Sequence, residues 1–285
     1  MEKTIGILGG DLRSIELSEI FSEKGINVKT YALFEENADI FENFIEKSDF
    51  IVAGTPFSRD GENVNTLEGK EKIAIDKLFS TMSSSKVLFA GSISDSVKKK
   101  AEGYEIKVYD LLNYEDIAVL NAIPSAEGAI EVALKSMKTT LHSSNCFILG
   151  YGRIGKILAN ILKGFGANVF VVARKDSDFA WIKAMGYVPL KYDKLEKSLF
   201  GADVIFNTVP HLVLDTLELE HIDKNCVIID LASKPGGVNF EKAKELGLET
   251  YWALGLPGKV APRSAARYMA DKIISLTQID NKLIM

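Results

Sequence analysis

The chain has 285 residues, with 47% apolar and 26% charged residues and a formal charge of −5. That length exceeds one ordinary domain, and that composition belongs to globular proteins with real cores. The negative balance argues against a dedicated nucleic-acid or anionic-membrane surface, leaving only local basic pockets. Lys3 leads at once into the strand-like IGIL, which is too short for a signal peptide. No apolar run reaches the ~18 residues expected of a membrane span. Cys146 and Cys226 open the apolar runs CFILG and CVIID, as core thiols of a reducing cytosol do, and two cysteines with three histidines make no metal site. A cytoplasmic protein is expected.

Short apolar runs alternate with amphipathic segments, the pattern of parallel sheets covered by helices. The first half offers TIGIL, NVKTYAL, FIVAG and KVLFAG as strands, with helices near 13–24, 69–82 and 94–101. NAIPSAEG follows, where Pro124 and Ser125 predict a helix start, with Ile130, Leu134 and Met137 at helical spacing behind them. The second half offers CFILG, NVFVVA, DVIFNT and CVIIDLA, with helices near 153–164, 176–185 and 239–246. The final PRSAARYMADKIISL is amphipathic and predicts a helix over about 263–279 that packs back on the first domain. The fold class is therefore α/β: two Rossmann-like parallel-sheet domains joined by hinge helices, residues 1–123 and 124–262.

Both halves open on strand, glycine turn and helix, ILGGDLRS at 7–14 and ILGYGRIG at 148–155. Only the second keeps Gly150, Gly152 and Gly155; the first has Gly9, Asp11 and Ser14 in their places. In a dinucleotide fold the three glycines give the tight turn, the approach to the pyrophosphate and the close helix–strand packing. GxGxxG alone is weak, but here it follows a strand and opens the apolar helix ILANILKGFG. Arg153, Ile154 and Gly155 then start that helix against the phosphates. Asp11 would repel a pyrophosphate, so the first domain is expected to serve the substrate side. The strand after the glycines ends in Ala173-Arg174-Lys175, where NAD enzymes usually carry an acid. Arg174 and Lys175 would pair with a 2′-phosphate, so NADP(H) is preferred over NAD(H). A solvated basic loop, with Asp176 or Asp178 reaching a ribose, is the competing reading.

Substrates of such folds lie at the carboxyl ends of the strands. There FNTVPHLVL places Thr208 and Pro210 beside the cofactor and offers His211 as an acid or base. DLASKPGGVN offers Lys234 for a carboxylate, against a solvated turn lysine. GLPGKVAPRSAAR sets Arg263 at a helix start suited to an anion. Asp11 and Arg13 face the substrate from the first domain, with Ser125 and Glu127 at the hinge, although Asp11 can equally cap its helix.

GGDLR at 9–13, EDIAVLNAIPSAEG at 115–128, LGYGRIGK at 149–156, NTVPHLV at 207–213, DLASKPGG at 230–237 and GLPGKVAP at 255–262 together resemble the A subunits of dipicolinate synthase nearly end to end. The resemblance implies a nicotinamide-dependent oxidation of dihydrodipicolinate to dipicolinate in the mother cell of a sporulating bacterium. It also implies a second subunit that is flavoprotein-like, and it leaves a homo-oligomer open. Aromatisation of a cyclic imine dicarboxylate asks mainly for orientation and for cationic clamps, for which Arg13, Lys234 and Arg263 are candidates. The general base would be Asp11, Glu127, His211 or water. A two-domain 2-hydroxyacid dehydrogenase competes, but it needs an arginine after the DLA-type strand and a late histidine. This chain has Ser233-Lys234 and no histidine after His221. A nucleotide-binding subunit without chemistry of its own is the remaining alternative.

Overall fold

The computed structural model describes residues 3–34, 39–67 and 70–279. The chain divides into two compact units, residues 1–120 with 261–285, and residues 121–260.

The first unit runs β1 (Thr4–Leu8), α1 (Leu12–Glu23), β2 (Asn27–Tyr31), α2 (Phe41–Glu46), β3 (Phe50–Ala53), α3 (Ile75–Thr81), β4 (Val87–Ala90), α4 (Asp95–Gly103) and β5 (Lys107–Asp110). Its five strands pair in parallel in the order β2-β1-β3-β4-β5. Strands buried on both faces read as continuous apolar runs, and Ile5, Ile7 and Leu8 of β1 are fully buried. Of the helix expected over 69–82, residue 69 lies outside the described residues and the helix begins at Ile75.

A long helix, α5 (Glu115–Ser136), carries the chain onward, and the division between the units falls inside it. The expected start at Pro124 is corrected: the proline lies in the helix interior. Proline usually marks a first turn because it lacks an N–H, but here the helix has already begun at Glu115. Ser125 Oγ donates back to the Asn121 carbonyl at 3.0 Å within the same turn. By length and composition α5 is also apolar enough to cross a membrane, contrary to the expectation from apolar runs. Half of that stretch is buried within the protein, the ordinary condition of a core helix.

The second unit runs β6 (Asn145–Leu149), α6 (Arg153–Gly164), β7 (Asn168–Ala173), α7 (Asp176–Ala184), β8 (Val188–Lys191), α8 (Leu195–Ser198), β9 (Val204–Asn207), α9 (Thr216–Glu220), β10 (Val227–Asp230), α10 (Phe240–Glu245), β11 (Glu249–Trp252) and α11 (Leu256–Val260). All six strands are parallel, ordered β11-β10-β9-β6-β7-β8. That is the doubly wound dinucleotide order, with α6 burying Leu158, Ala159 and Leu162 against the sheet.

The last helix, α12 (Pro262–Thr277), belongs to the first unit. Ala266, Met269, Ala270 and Ile273 are buried in one cluster with Leu17, Ile20 and Phe21 of α1.

Candidate functional site

The strand order of the second unit reverses between β6 and β9, and the glycine turn stands at that point. Gly150 has φ +99°, a conformation that L side chains rarely adopt, and a Cβ there would lie 2.6 Å from Thr208 Oγ1. Thr208 closes the turn from the neighbouring strand: its N and Oγ1 both donate to the Leu149 carbonyl, at 3.0 and 2.8 Å. A Cβ on Gly155 would lie 2.2 Å from the Gly150 carbonyl oxygen, so the first turn of α6 rests directly on the glycine turn.

Gly152 differs from both. It is the N-cap of α6 and supplies no side chain to the first-turn N–H groups, and nothing lies within 4 Å of where its Cβ would be. The start of α6 thus carries no side-chain cap from Gly152 and presents the positive end of the helix dipole beside the open space at that glycine. A pyrophosphate fits that cradle.

β7 ends at the buried Ala173, and Arg174 and Lys175 behind it are exposed. Lys175 is the N-cap of α7, whose first turn carries Asp176 and Asp178. Among the described residues neither Arg174 nor Lys175 has an ion-pair partner. Burial pushes the nearby Tyr192 phenol up, and the Arg174 charge opposes that shift.

The turns after β9 and β10 are built around two buried polar side chains that the sequence reading missed. Asn207 donates through Nδ2 to Asp230 Oδ1 at 2.8 Å and to the Val209 carbonyl at 3.0 Å, and its Oδ1 accepts from Val209 N at 3.1 Å. Asp230 also accepts from Ala232 N at 3.0 Å and Gly237 N at 2.7 Å. This network holds Thr208, Pro210 and His211 after β9, and Lys234 after β10, at the carboxyl edge of one sheet. Pro210, His211 and Lys234 are exposed. Their only sequence signal was a polar residue closing an otherwise apolar strand, FN and IID.

In the first unit, Asp11 caps α1 by accepting from Arg13 N at 3.0 Å. Both its oxygens also accept from the Arg13 guanidinium, Oδ1 from Nε at 3.0 Å and Oδ2 from Nη2 at 2.6 Å. The same guanidinium donates to the Thr55 carbonyl, and Arg13 is 6% exposed. The pair is an internal brace rather than an open clamp. Arg263 is engaged in the same way: its two Nη atoms donate to Glu16, Glu19 and Glu23 of α1 at 2.7 to 3.2 Å. Three carboxylates around one guanidinium leave no free fork for a substrate carboxylate. On α5, Ser125 is half-buried and bonded within the helix, and Glu127 is exposed.

The family model for the N-terminal domain of the dipicolinate synthase A subunit matches residues 4–112. The model of the NAD-binding domain of D-isomer-specific 2-hydroxyacid dehydrogenases matches residues 117–234. The A subunit of dipicolinate synthase from Bacillus subtilis (strain 168) is 30% identical over 282 residues, 95% of each chain. The crystal structure of the A subunit from Bacillus halodurans superposes with a TM-score of 0.87 at 29% identity, covering 96% of this chain and 97% of that one. Its Bacillus subtilis counterpart gives 0.86 at 29% identity, covering 99% and 97%. The second unit is therefore an NAD-binding dehydrogenase domain of the oxidoreductase type. With matches of this extent, the chain belongs to the family of dipicolinate synthase A subunits.

Proposed function

We propose that this protein oxidises dihydrodipicolinate to dipicolinate with NADP(H) as its cofactor, beside a flavoprotein-like second subunit, in the cytoplasm of a sporulating cell. The observation that carries the reading is the uncapped N-terminus of α6 behind Gly152, in a chain of this family. When bound there, the nicotinamide supplies the hydride acceptor. Gly150 and Gly155 shape the turn, and the N–H groups of Arg153, Ile154 and Gly155 hold the pyrophosphate. Thr208 and Pro210 border the nicotinamide ribose. Arg174 and Lys175 pair with the 2′-phosphate, which two cations without an ion-pair partner among the described residues suit better than a ribose diol.

The ring of the substrate gives up one hydride and one proton, and the new double bond completes a pyridine. Lys234 holds one substrate carboxylate at the carboxyl edge of β10. His211, exposed after β9, takes the proton or orients a water that does. Asp11 is less suited to that role, because both its oxygens accept from Arg13. The hydroxyacid dehydrogenase reading lacks its late histidine, and Lys234 stands where that chemistry needs an arginine. The test is dipicolinate formation by the purified chain, with dihydrodipicolinate generated in situ and NADP⁺ or NAD⁺ supplied. Product that depends on NADP⁺ supports the reaction and the cofactor together, and makes the chain sufficient by itself. No product, even when the second subunit is supplied, overturns it.

A further inference from the structure

The first unit has its own reversal point. β1 connects to β2 on one side and β3 to β4 on the other, so the crevice of a doubly wound sheet falls at the carboxyl ends of β1 and β3. Residues 57–66 cross that place as a strap: Gly10 N donates to the Asn65 carbonyl at 2.7 Å, and Asn65 N to the Phe57 carbonyl at 2.8 Å. The strap lies close, since a Cβ on Gly9 would sit 2.8 Å from the Asn65 oxygen. A recess of about 160 Å³ opens in it, lined by Arg59, Asp60, Asn65, Thr66 and Lys72 among others. For scale, an apolar cavity of about 150 Å³ takes up benzene.

Asn65 is 7% exposed, and its Oδ1 accepts from Arg59 Nε at 3.0 Å. An arginine only donates, so the amide orientation is fixed and Nδ2 is its donor end. That Nδ2 is buried without a partner among the described residues, as is Thr55 Oγ1. Buried orphans of this kind are rare and call for an explanation. The remaining guanidinium N–H groups of Arg59 and the ammonium of Lys72 also lack partners among the described residues. Asp60, the carboxylate of the recess, is occupied by its own turn: it accepts from Ser58 Oγ, Glu62 N, Asn63 N and Asn63 Nδ2. The Asn63 side chain, with those backbone N–H groups, holds its carboxyl well below the usual range.

We propose that this strap is a carboxylate-binding subsite for a small dicarboxylate, with Arg59 as the fork, Lys72 as the second charge and Asn65 as the positioning residue that aims the fork. The identity of that ligand as dipicolinate or its dihydro precursor rests on the function proposed above; the subsite itself rests on the unpartnered cations and the buried amide. Arg13 and Arg263 are engaged by carboxylates of their own unit, whereas Arg59 and Lys72 line this recess with no carboxylate partner among the described residues.

Titration calorimetry of the full chain with pyridine-2,6-dicarboxylate reads the subsite without turnover. Arg59→Met is expected to weaken binding about tenfold or more, the scale of a hydrogen bond to a charged group. Lys72→Met should weaken it by less, and neither should change NADPH affinity. Asn65→Ala should weaken binding alone but add nothing to Arg59→Met, because it acts through the guanidinium. A further loss in the double variant overturns the positioning role. Unchanged binding in Arg59→Met, or no binding by the wild-type chain at millimolar ligand, overturns the subsite. Binding that depends on Arg59 in a chain that makes no product on either cofactor, even with the second subunit supplied, keeps the subsite and removes the reaction.

Discussion

Asn207 Nδ2 lies 2.8 Å from Asp230 Oδ1, a hydrogen bond between two fully buried side chains on neighbouring strand ends. The carboxylate is matched by three N–H donors, from Asn207, Ala232 and Gly237, instead of by a cation. Such a network fixes two turns at once, because every donor left without its acceptor is buried. Asp230→Ala is therefore expected to destabilise the protein by about 3 kcal/mol, and Asp230→Asn by less. Urea unfolding measures it; an unshifted midpoint would mean that the turns are held by backbone contacts alone.

The three glycines of the motif should separate by phenotype. Gly155→Ala drives a methyl to 2.2 Å from a backbone carbonyl, so loss of stability and of cofactor binding should come together. Gly152→Ala meets nothing within 4 Å and has φ −82°, which alanine adopts freely. Its melting temperature should stay near wild type while NADPH affinity falls about tenfold, the methyl standing where the phosphate approaches. Unchanged affinity in Gly152→Ala would move the pyrophosphate elsewhere.

Arg174→Asp should weaken NADPH about tenfold or more relative to NADH, since a charge-assisted pair to the 2′-phosphate becomes a repulsion. Fluorescence titration with both reduced cofactors decides it. Equal losses would make Arg174 a general electrostatic contributor, with Asp176 or Asp178 of α7 then the nearest groups for a ribose.

The interior strands were readable because they are buried on both faces and run into glycine turns, as TIGIL and NCFIL do. The edge strands β5, β8 and β11 were not. KVYD, VPLK and ETYW are four residues each and partly exposed, so apolar periodicity is weak there, and an edge tolerates Pro189. The cofactor turn could be read for the same local reason, its glycines standing within six residues. Arg263 could not: the glutamates around it lie up to 247 residues away in sequence, and only folding brings them together. Asn65 is a similar case, since its burial and its bond to Arg59 come from a strap that lies outside the helices and the sheet.

The two thiols give a pH prediction. Burial pushes Cys146 up to about 12 and Cys226 higher still. Both should resist a thiol reagent at pH 8 in the native protein and react fully after unfolding, two per chain. With folded values raised, their contribution to stability is complete below the unfolded thiol range and is lost as the pH rises through about 12. Rapid native labelling of either thiol would show that its strand opens locally.

Lys234 decides how far the second unit handles substrate. It stands exposed in the turn that Asp230 organises, and no described residue neutralises it. A solvated lysine there would have no effect on turnover when replaced. A lysine holding a substrate carboxylate contributes a charge-assisted bond, so Lys234→Met should lower kcat/KM for dipicolinate formation about tenfold or more. Lys234→Arg should recover part of that loss, because charge matters more than shape for a single carboxylate. NADPH affinity should be unchanged in both variants. If the loss falls on cofactor affinity instead, Lys234 belongs to the nucleotide and not to the ring.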